Sequence, residues 1–381
     1  MILYITRKFP PMTGGMERVS YELYRHLAKV TDVKLIKWDG SNKWLFLVLP
    51  HFLMRSCLVL LTSRVKAIYL QDGLLSPLGV VIKYVFNKPV SITIHGLDIT
   101  YTNRFYQFLI PKCIRRLDKI VCVSSATKEQ CLKRGIPQNK IVVIPNGISD
   151  DFYIREDVQK LNDRLCKKLK MNLRNRKIIL SVGRIVERKG FHWFVTNVLP
   201  KIVMEERDVV FLLAGEGPFK GTIEKSIVDA GMRKHAILLG KVDNETLRLL
   251  YNSSHVMVVP NIPVKGDIEG FGVVVLEATS CGLPLVASGT EGIREAIVHG
   301  QNGFLVETFN AEKFSRTLLF ILENSRRAKA LGEKARQFTL RNFAWEKIAK
   351  MYFEILSRTA PYNCGVNLSP SGKKNTSCEG Q

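Results

Sequence analysis

The segment EGFGVVVLEATSCG sets Glu269 and Glu277 eight positions apart, with seven uncharged residues between them. Gly270 and Gly272 leave bare backbone amides at the start of a helix expected to begin near Val273. The positive end of such a helix suits a phosphate or the oxygens of a sugar. Glu277 falls about one turn inside that helix, among apolar neighbours. A carboxylate there is costly to bury unless something hydrogen-bonds it, and a diol such as a ribose is a natural partner. Turned outward on an amphipathic helix, the same glutamate would need no ligand.

Two cations hold a comparable position upstream. In SVGRIVERKG, Arg184 and Lys189 lie five residues apart, directly after an apolar run that ends at Gly183. A fork-shaped guanidinium and an ammonium at a strand end suit a diphosphate; two solvated surface cations would read the same way. IHGLD sets His95 and Asp98 after another apolar run, and open α/β sheets bind ligands beyond the C-terminal ends of their strands. TRKFPPMTGGMERV brings Gly14 and Gly15 to a strand-to-helix turn with Glu17 in its first turn. Glycines let amides approach a phosphate there, and they also make plain turns. PNGISDDF is first of all a turn at Asn146 and Gly147. AGEGPFK is a glycine turn, and GKVDNETLRLLYNSS is a loop and a helix start that Asp243 or Asn244 could cap. Neither names a chemistry.

Residues delivered from strand ends need parallel sheets behind them. Short apolar runs at 2–5, 33–36, 67–70, 90–94, 119–124 and 141–144 read as buried strands, with helical patterns such as 15–28 and 127–134 between several of them. The rhythm restarts at 177–183, 209–215, 236–240, 256–260, 283–288 and 303–307. Strands alternating with helices imply parallel sheets covered on both faces, and the restart implies two such domains in tandem. The charged stretch 150–176 lacks a strand and is expected to hold the linker. The reading is a first domain over 1–165, a second over 166–343, a final helix over about 344–358 and a disordered tail over 359–381.

Bulk composition narrows the partners. The chain of 381 residues carries 57 Lys and Arg against 34 Asp and Glu, a net charge of +23. Residues 1–170 hold 28 of the cations and 13 of the acids, net +15. Such a field favours nucleic acid, an anionic membrane or phosphorylated ligands. Eight scattered cysteines without a CxxC pair read as reduced thiols in a cytosolic protein with no metal site. MILYITRKFP has no charged region ahead of its apolar segment, so no signal peptide is expected. WLFLVLPHFLMRSCLVLL, residues 44–61, is interrupted by Pro50, His51 and Arg55. It falls short of a span of ~20 apolar residues and reads as a core helix, a docking surface or a monotopic helix. RFYQFLIPKCIRRL, residues 104–117, is amphipathic and basic.

Taken in order, GGMER, HGLD, PNGISDDF, GRIVERKG, GEGP, EGFGVVVLE, GTEGIREAIVHGQNGFLVE and FAWEKIA resemble the retaining glycosyltransferases of the GT-B fold, family four, over about residues 2–357. The Glu-x7-Glu segment is the most specific of these. The resemblance implies two Rossmann-like α/β domains whose parallel sheets face each other across a cleft. The first takes the acceptor, the second the nucleotide-sugar donor, and the final helix returns to the first. It implies that Gly15 gives its amide to the donor diphosphate and that His95 lies by the donor sugar, near its primary hydroxyl. Arg184 and Lys189 would neutralise the diphosphate. Glu269 would hold a sugar hydroxyl beside the amides of Phe271 and Gly272, and the amides of Val273 and Val274 would meet the phosphates. Glu277 would hold the ribose hydroxyls, and the loop near Val242 would lie by the base. One departure stands out: Glu291 occupies a position in GTEGIREAI where the family often has a second glycine.

The donor expected on this basis is a GDP- or UDP-linked sugar, with no obligatory metal or other cofactor, because Arg184, Lys189 and the helix dipole can offset the leaving-group charge. Retention is expected by same-face attack. The basic first domain and the segments 44–61 and 104–117 favour a lipid-linked or glycan acceptor at an anionic membrane. The expected protein is cytoplasmic, peripheral on the inner face of the cell membrane, and serves cell-envelope glycan synthesis. The competing readings are a sugar-nucleotide epimerase or phosphorylase of the same architecture, and a basic nucleic-acid-binding protein. The sequence contains no zinc motif and no ribonucleoprotein-type aromatic signature, which favours no nucleic-acid partner.

Overall fold

A computed structural model describes residues 1–12, 14–38 and 45–358. The tail expected over 359–381 and Trp44 lie outside them. Every apolar run named above contains a strand: β1 Ile2–Thr6, β2 Val33–Lys37, β3 Ala67–Leu70, β4 Val90–Ile94, β5 Lys119–Cys122 and β6 Ile141–Val143. They are followed by β7 Lys177–Val182, β8 Val209–Ala214, β9 Ala236–Gly240, β10 Val256–Val259, β11 Leu285–Ser288 and β12 Phe304–Val306. They form two six-stranded sheets, ordered β2-β1-β3-β4-β5-β6 and β12-β11-β10-β7-β8-β9. All pairings are parallel. Helices on both faces leave β1, β4 and β8 buried throughout, which is why these strands read as continuous apolar runs rather than alternating ones.

Each order reverses once. In the first sheet the chain leaves in opposite directions from β1 and β3; in the second it does so from β7 and β10. A crevice opens at the C-terminal ends of the strands at such a switch point. The loops after β1 and β3 carry Arg7, Gly14, Gly15 and Asp72, and the loops after β7 and β10 carry Arg184, Lys189, Glu269 and Gly272.

The helix Trp345–Arg358 packs against the helix Gly15–Leu27. Trp345, Ile348, Ala349, Tyr352 and Leu356 share a buried cluster with Ile2, Tyr4, Val19, Leu23 and Tyr69. The C-terminal helix is thus part of the first sheet's covering layer. The charged stretch read as linker contains the helix Val158–Leu169, whose Leu161 and Leu165 are buried in the second sheet's core beside Ile178 and Leu249. This helix thus spans the expected 165/166 position and packs with the second core.

Candidate active site

The second sheet supplies the charged half of the cleft. Lys189, at the end of a tight turn Glu187–Lys189 after β7, is buried, and its Nζ donates to Glu269 Oε2 at 2.6 Å. Arg188 bridges two acids: Nη1 donates to the same Glu269 oxygen at 2.6 Å, and Nε to Asp267 Oδ1 at 2.9 Å. Asn261 Nδ2 donates to Glu269 Oε2 at 3.1 Å. Burial alone would push the Glu269 carboxyl up, but Lys189 and Arg188 outweigh it and hold it down to about 2. Glu269 is therefore an anion at any working pH. Arg184 is exposed and has no side-chain partner among the described residues, so of the two cations expected together only Lys189 is engaged.

The GEGP turn acquires a purpose here. A Cβ on Gly215 would overlap the Gly183 carbonyl oxygen, and one on Gly217 the Ile185 carbonyl oxygen. Bare backbone is what lets the turn after β8 lie against the Arg184 loop.

The helix Val273–Ser280 begins where expected, with Gly272 at φ +76° and no side chain capping its N-terminus. That leaves the first-turn amides, including those of Val273 and Val274, for an outside acceptor. Glu277 does not point outward to solvent. It is buried, Tyr251 donates its hydroxyl to Oε2 at 2.8 Å, and Arg18 of the first domain approaches Oε1 at 3.8 Å. Burial pushes the Glu277 carboxyl up, against the lowering by Arg18 and Tyr251. Arg18 also stacks on the Phe152 ring at 3.9 Å. Arg18, Glu22, Gly147, Val273, Glu277 and Trp345 line a small cavity between the two sheets. PNGISDDF is thus more than a turn, since its Gly147 lies in this wall.

The first sheet supplies the opposing half. Asp98 folds the HGLD turn by accepting the amides of His95 at 2.8 Å and Gly96 at 2.9 Å on one oxygen, and that of Gly73 at 3.1 Å on the other. His95 Nε2 contacts the Gln71 carbonyl at 2.9 Å. Arg7 donates to the buried Asp72 at 3.0 Å. Lys8 pairs with Glu17 at 3.1 Å beside the Gly14–Gly15 turn, where, among the described residues, nothing crowds Gly15.

The halves meet at two turns. A Cβ on Gly96 would lie 3.0 Å from Gly270 Cα, and one on Gly270 would overlap the His95 carbonyl oxygen. His95 and Glu269 therefore flank the same contact. Nearby, Glu295 accepts the amides of Ser125 and Ala126, capping the helix Ser125–Leu132 from across the cleft. Val242 is further away, beyond the edge strand β9, where Asp243 caps the helix Asn244–Ser253 through the Thr246 amide at 2.7 Å. The sequence reading missed Arg188, Asn261 and Tyr251. Arg188 was legible only as a cation beside Lys189; nothing local marked the other two.

Two facing Rossmann-like sheets, with a glycine-opened helix start at one switch point and a histidine turn opposite, define the GT-B class. Within it, the chain belongs to glycosyltransferase family four: the model for Glycosyltransferase Family 4 matches residues 13–152, and that for Glycosyl transferases group 1 matches residues 167–338. An uncharacterised glycosyltransferase of Methanocaldococcus jannaschii is 27% identical over 303 residues, covering 77% of this chain and 75% of that protein. The GDP-mannose-dependent alpha-(1-6)-phosphatidylinositol monomannoside mannosyltransferase of Mycolicibacterium smegmatis is 22% identical over 386 residues, covering 93% and 98%. Among solved structures, HepE of Anabaena in complex with UDP and glucose matches with a TM-score of 0.74 at 18% identity, over 94% of this chain and 99% of that one. Sucrose-phosphate synthase of Thermosynechococcus elongatus matches with a TM-score of 0.75 at 20% identity, over 94% and 98%.

Proposed function

We propose that this glycosyltransferase moves a hexose from a GDP- or UDP-sugar to a lipid-linked or glycan acceptor, with retention and without a metal ion. The observation that carries the reading is the Glu269 carboxylate held by Arg188 and Lys189 beside an uncapped helix start. All three donors to Glu269 converge on Oε2, which leaves Oε1 for a sugar hydroxyl. The amides of Phe271 and Gly272 sit beside that hydroxyl; those of Val273 and Val274 and the positive helix end receive the diphosphate, joined by Arg184 and Lys189 and, from the facing domain, by the amide of Gly15. Glu277 takes the ribose diol, and the Val242 loop borders the base. His95 takes the sugar's primary hydroxyl.

In the transfer, the bond from the anomeric carbon to the diphosphate breaks. The acceptor oxygen bonds that carbon on the same face, and its proton passes to a diphosphate oxygen. Charge developing on the leaving group is offset by Arg184, Lys189 and the helix dipole, so no cation is required. The relatives named above use GDP-mannose in one case and hold UDP in another, which supports a nucleotide-sugar donor and leaves both bases open.

The test is a thermal-shift screen of nucleoside diphosphates, followed by turnover of the matching nucleotide sugar in EDTA. We expect one base to be preferred, full turnover in EDTA, and a loss of nucleotide affinity of roughly tenfold or more in Glu277→Ala, about the cost of one charged hydrogen bond. Unaltered nucleotide affinity in that variant would remove Glu277 from the site.

The acceptor side is proposed to work at an anionic membrane. The helices Leu45–Thr62, Ser76–Phe86 and Arg104–Arg116 pack side by side over the first sheet. They expose Met54, Leu58, Leu61, Tyr84, Phe105 and Phe108, with Arg55, Arg104, Lys112 and Arg116 among them. Large apolar groups rimmed by cations fit an anionic interface. Among the described residues no helix is long and apolar enough to cross a membrane. In vesicle flotation the protein is expected to follow anionic vesicles over neutral ones at low salt; equal recovery with both would sink this part.

A further inference from the structure

Glu291 is held at φ +31°, a left-handed conformation that residues with a side chain adopt at a cost. Such outliers persist where the surroundings impose them, and the surroundings here are the Glu269 turn. Glu291 Oε2 accepts the Glu269 backbone amide at 2.7 Å, and the Gly292 amide donates to the Glu269 carbonyl at 3.3 Å. Both polar groups of the Glu269 residue's backbone thus belong to the 291–292 turn. Gly292 lies so close to Gly270 that a Cβ would overlap the Gly270 carbonyl oxygen, and Gly270 in turn lies on the His95 carbonyl. Three turns, at 291–292, 269–270 and 95–96, are therefore stacked backbone on backbone. Among the described residues only Glu291 contributes a side chain to the hold on Glu269's main chain; Arg188, Lys189 and Asn261 hold its carboxylate.

We infer that Glu291 is a positioning residue for the transfer reaction: its carboxylate pins the Glu269 peptide, and through it fixes the Glu269 carboxylate against the His95 turn. The inference rests on the proposed role of Glu269 as the group that holds the donor sugar. It explains why a strained glutamate stands where glycine would fit without cost.

The experiment compares E291G and E291Q with the wild type, using the preferred nucleotide sugar. E291G relieves the backbone conformation and removes the acceptor, whereas E291Q keeps an acceptor oxygen at the same reach. For E291G we expect an equal or higher Tm, unchanged nucleoside diphosphate affinity and a kcat lower by roughly tenfold or more, since misplacement of a sugar-holding group slows the step it orients. For E291Q we expect kcat within about threefold of the wild type, because the amide acceptor is preserved. An E291G enzyme as fast as the wild type overturns the inference and leaves the function standing. So does an E291Q as slow as E291G, or a parallel fall of Tm and nucleotide affinity in E291G, which marks a general structural role. A wild type without nucleotide-sugar turnover overturns both.

Discussion

Glu269→Ala is expected to lower kcat by about 100- to 1000-fold while strengthening, not weakening, the response to nucleoside diphosphate. Loss of the carboxylate removes the group that holds the sugar. It also strips Lys189 and Arg188 of a partner at 2.6 Å each, in a place where Lys189 is buried. Breaking a buried pair by removing one member costs on the order of 3–5 kcal/mol, because the other charge stays desolvated and unpaired. The ligand-free variant should therefore melt well below the wild type. A diphosphate then supplies the missing anion, so the nucleotide-induced rise in Tm should exceed that of the wild type. A simple cavity mutant would lose stability without this compensation, and a smaller nucleotide-induced shift would refute the arrangement. The pH dependence has a definite sign. The Glu269 carboxyl is depressed to about 2 in the folded protein, from 4.5. Its contribution is present in full above the unfolded value and is lost as pH falls through about 2. The stability difference between wild type and variant should accordingly be flat across neutral pH and shrink in acid.

Gly270→Ala is the second large effect. Its Cβ would overlap the backbone carbonyl of His95, which cannot rotate away as a side chain would. The requirement is for space rather than for an unusual backbone conformation, because Gly270 is not among the glycines at positive φ. The Glu269 and His95 turns must move apart, and the donor sugar loses simultaneous contact with both. A displacement of about 1 Å at a reacting centre costs on the order of 100-fold, which is the expected fall in kcat. Nucleoside diphosphate affinity should change little, since most of the groups assigned to the nucleotide lie on the second sheet. Small-angle scattering should report a more open molecule. Wild-type kcat, or an unchanged radius of gyration with low activity, would each contradict this account.

Much of the fold was legible because the inner strands β1, β3, β4, β8, β10 and β11 are buried throughout, so their apolar runs need no tertiary context to be recognised. Val158–Leu169 was not legible: its many charged residues read as a linker, and only the burial of Leu161 and Leu165 assigns it to the second core. GEGP carried no chemistry in the sequence because its glycines answer to carbonyls at Gly183 and Ile185, some 30 positions earlier. Arg188 stood in a run of cations that any solvated surface could hold. Its role depends on Asp267 and Glu269, which the loop after β10 brings to it.

Two tandem parallel sheets, the glycine-opened helix at Val273 and the placement of Glu269 before that helix with Glu277 inside it were legible from the sequence alone, because these follow from local periodicity and from glycine's lack of a side chain. Which charges meet became visible only in the folded chain. It put Lys189 and Arg188 together on Glu269 and left Arg184 in solvent; it turned Glu277 inward to Tyr251 and Arg18; and it tied the Glu269 backbone to Glu291. Hydrogen bonds and ion pairs act over about 3 Å, and sequence spacing does not fix such distances between loops that leave different strands.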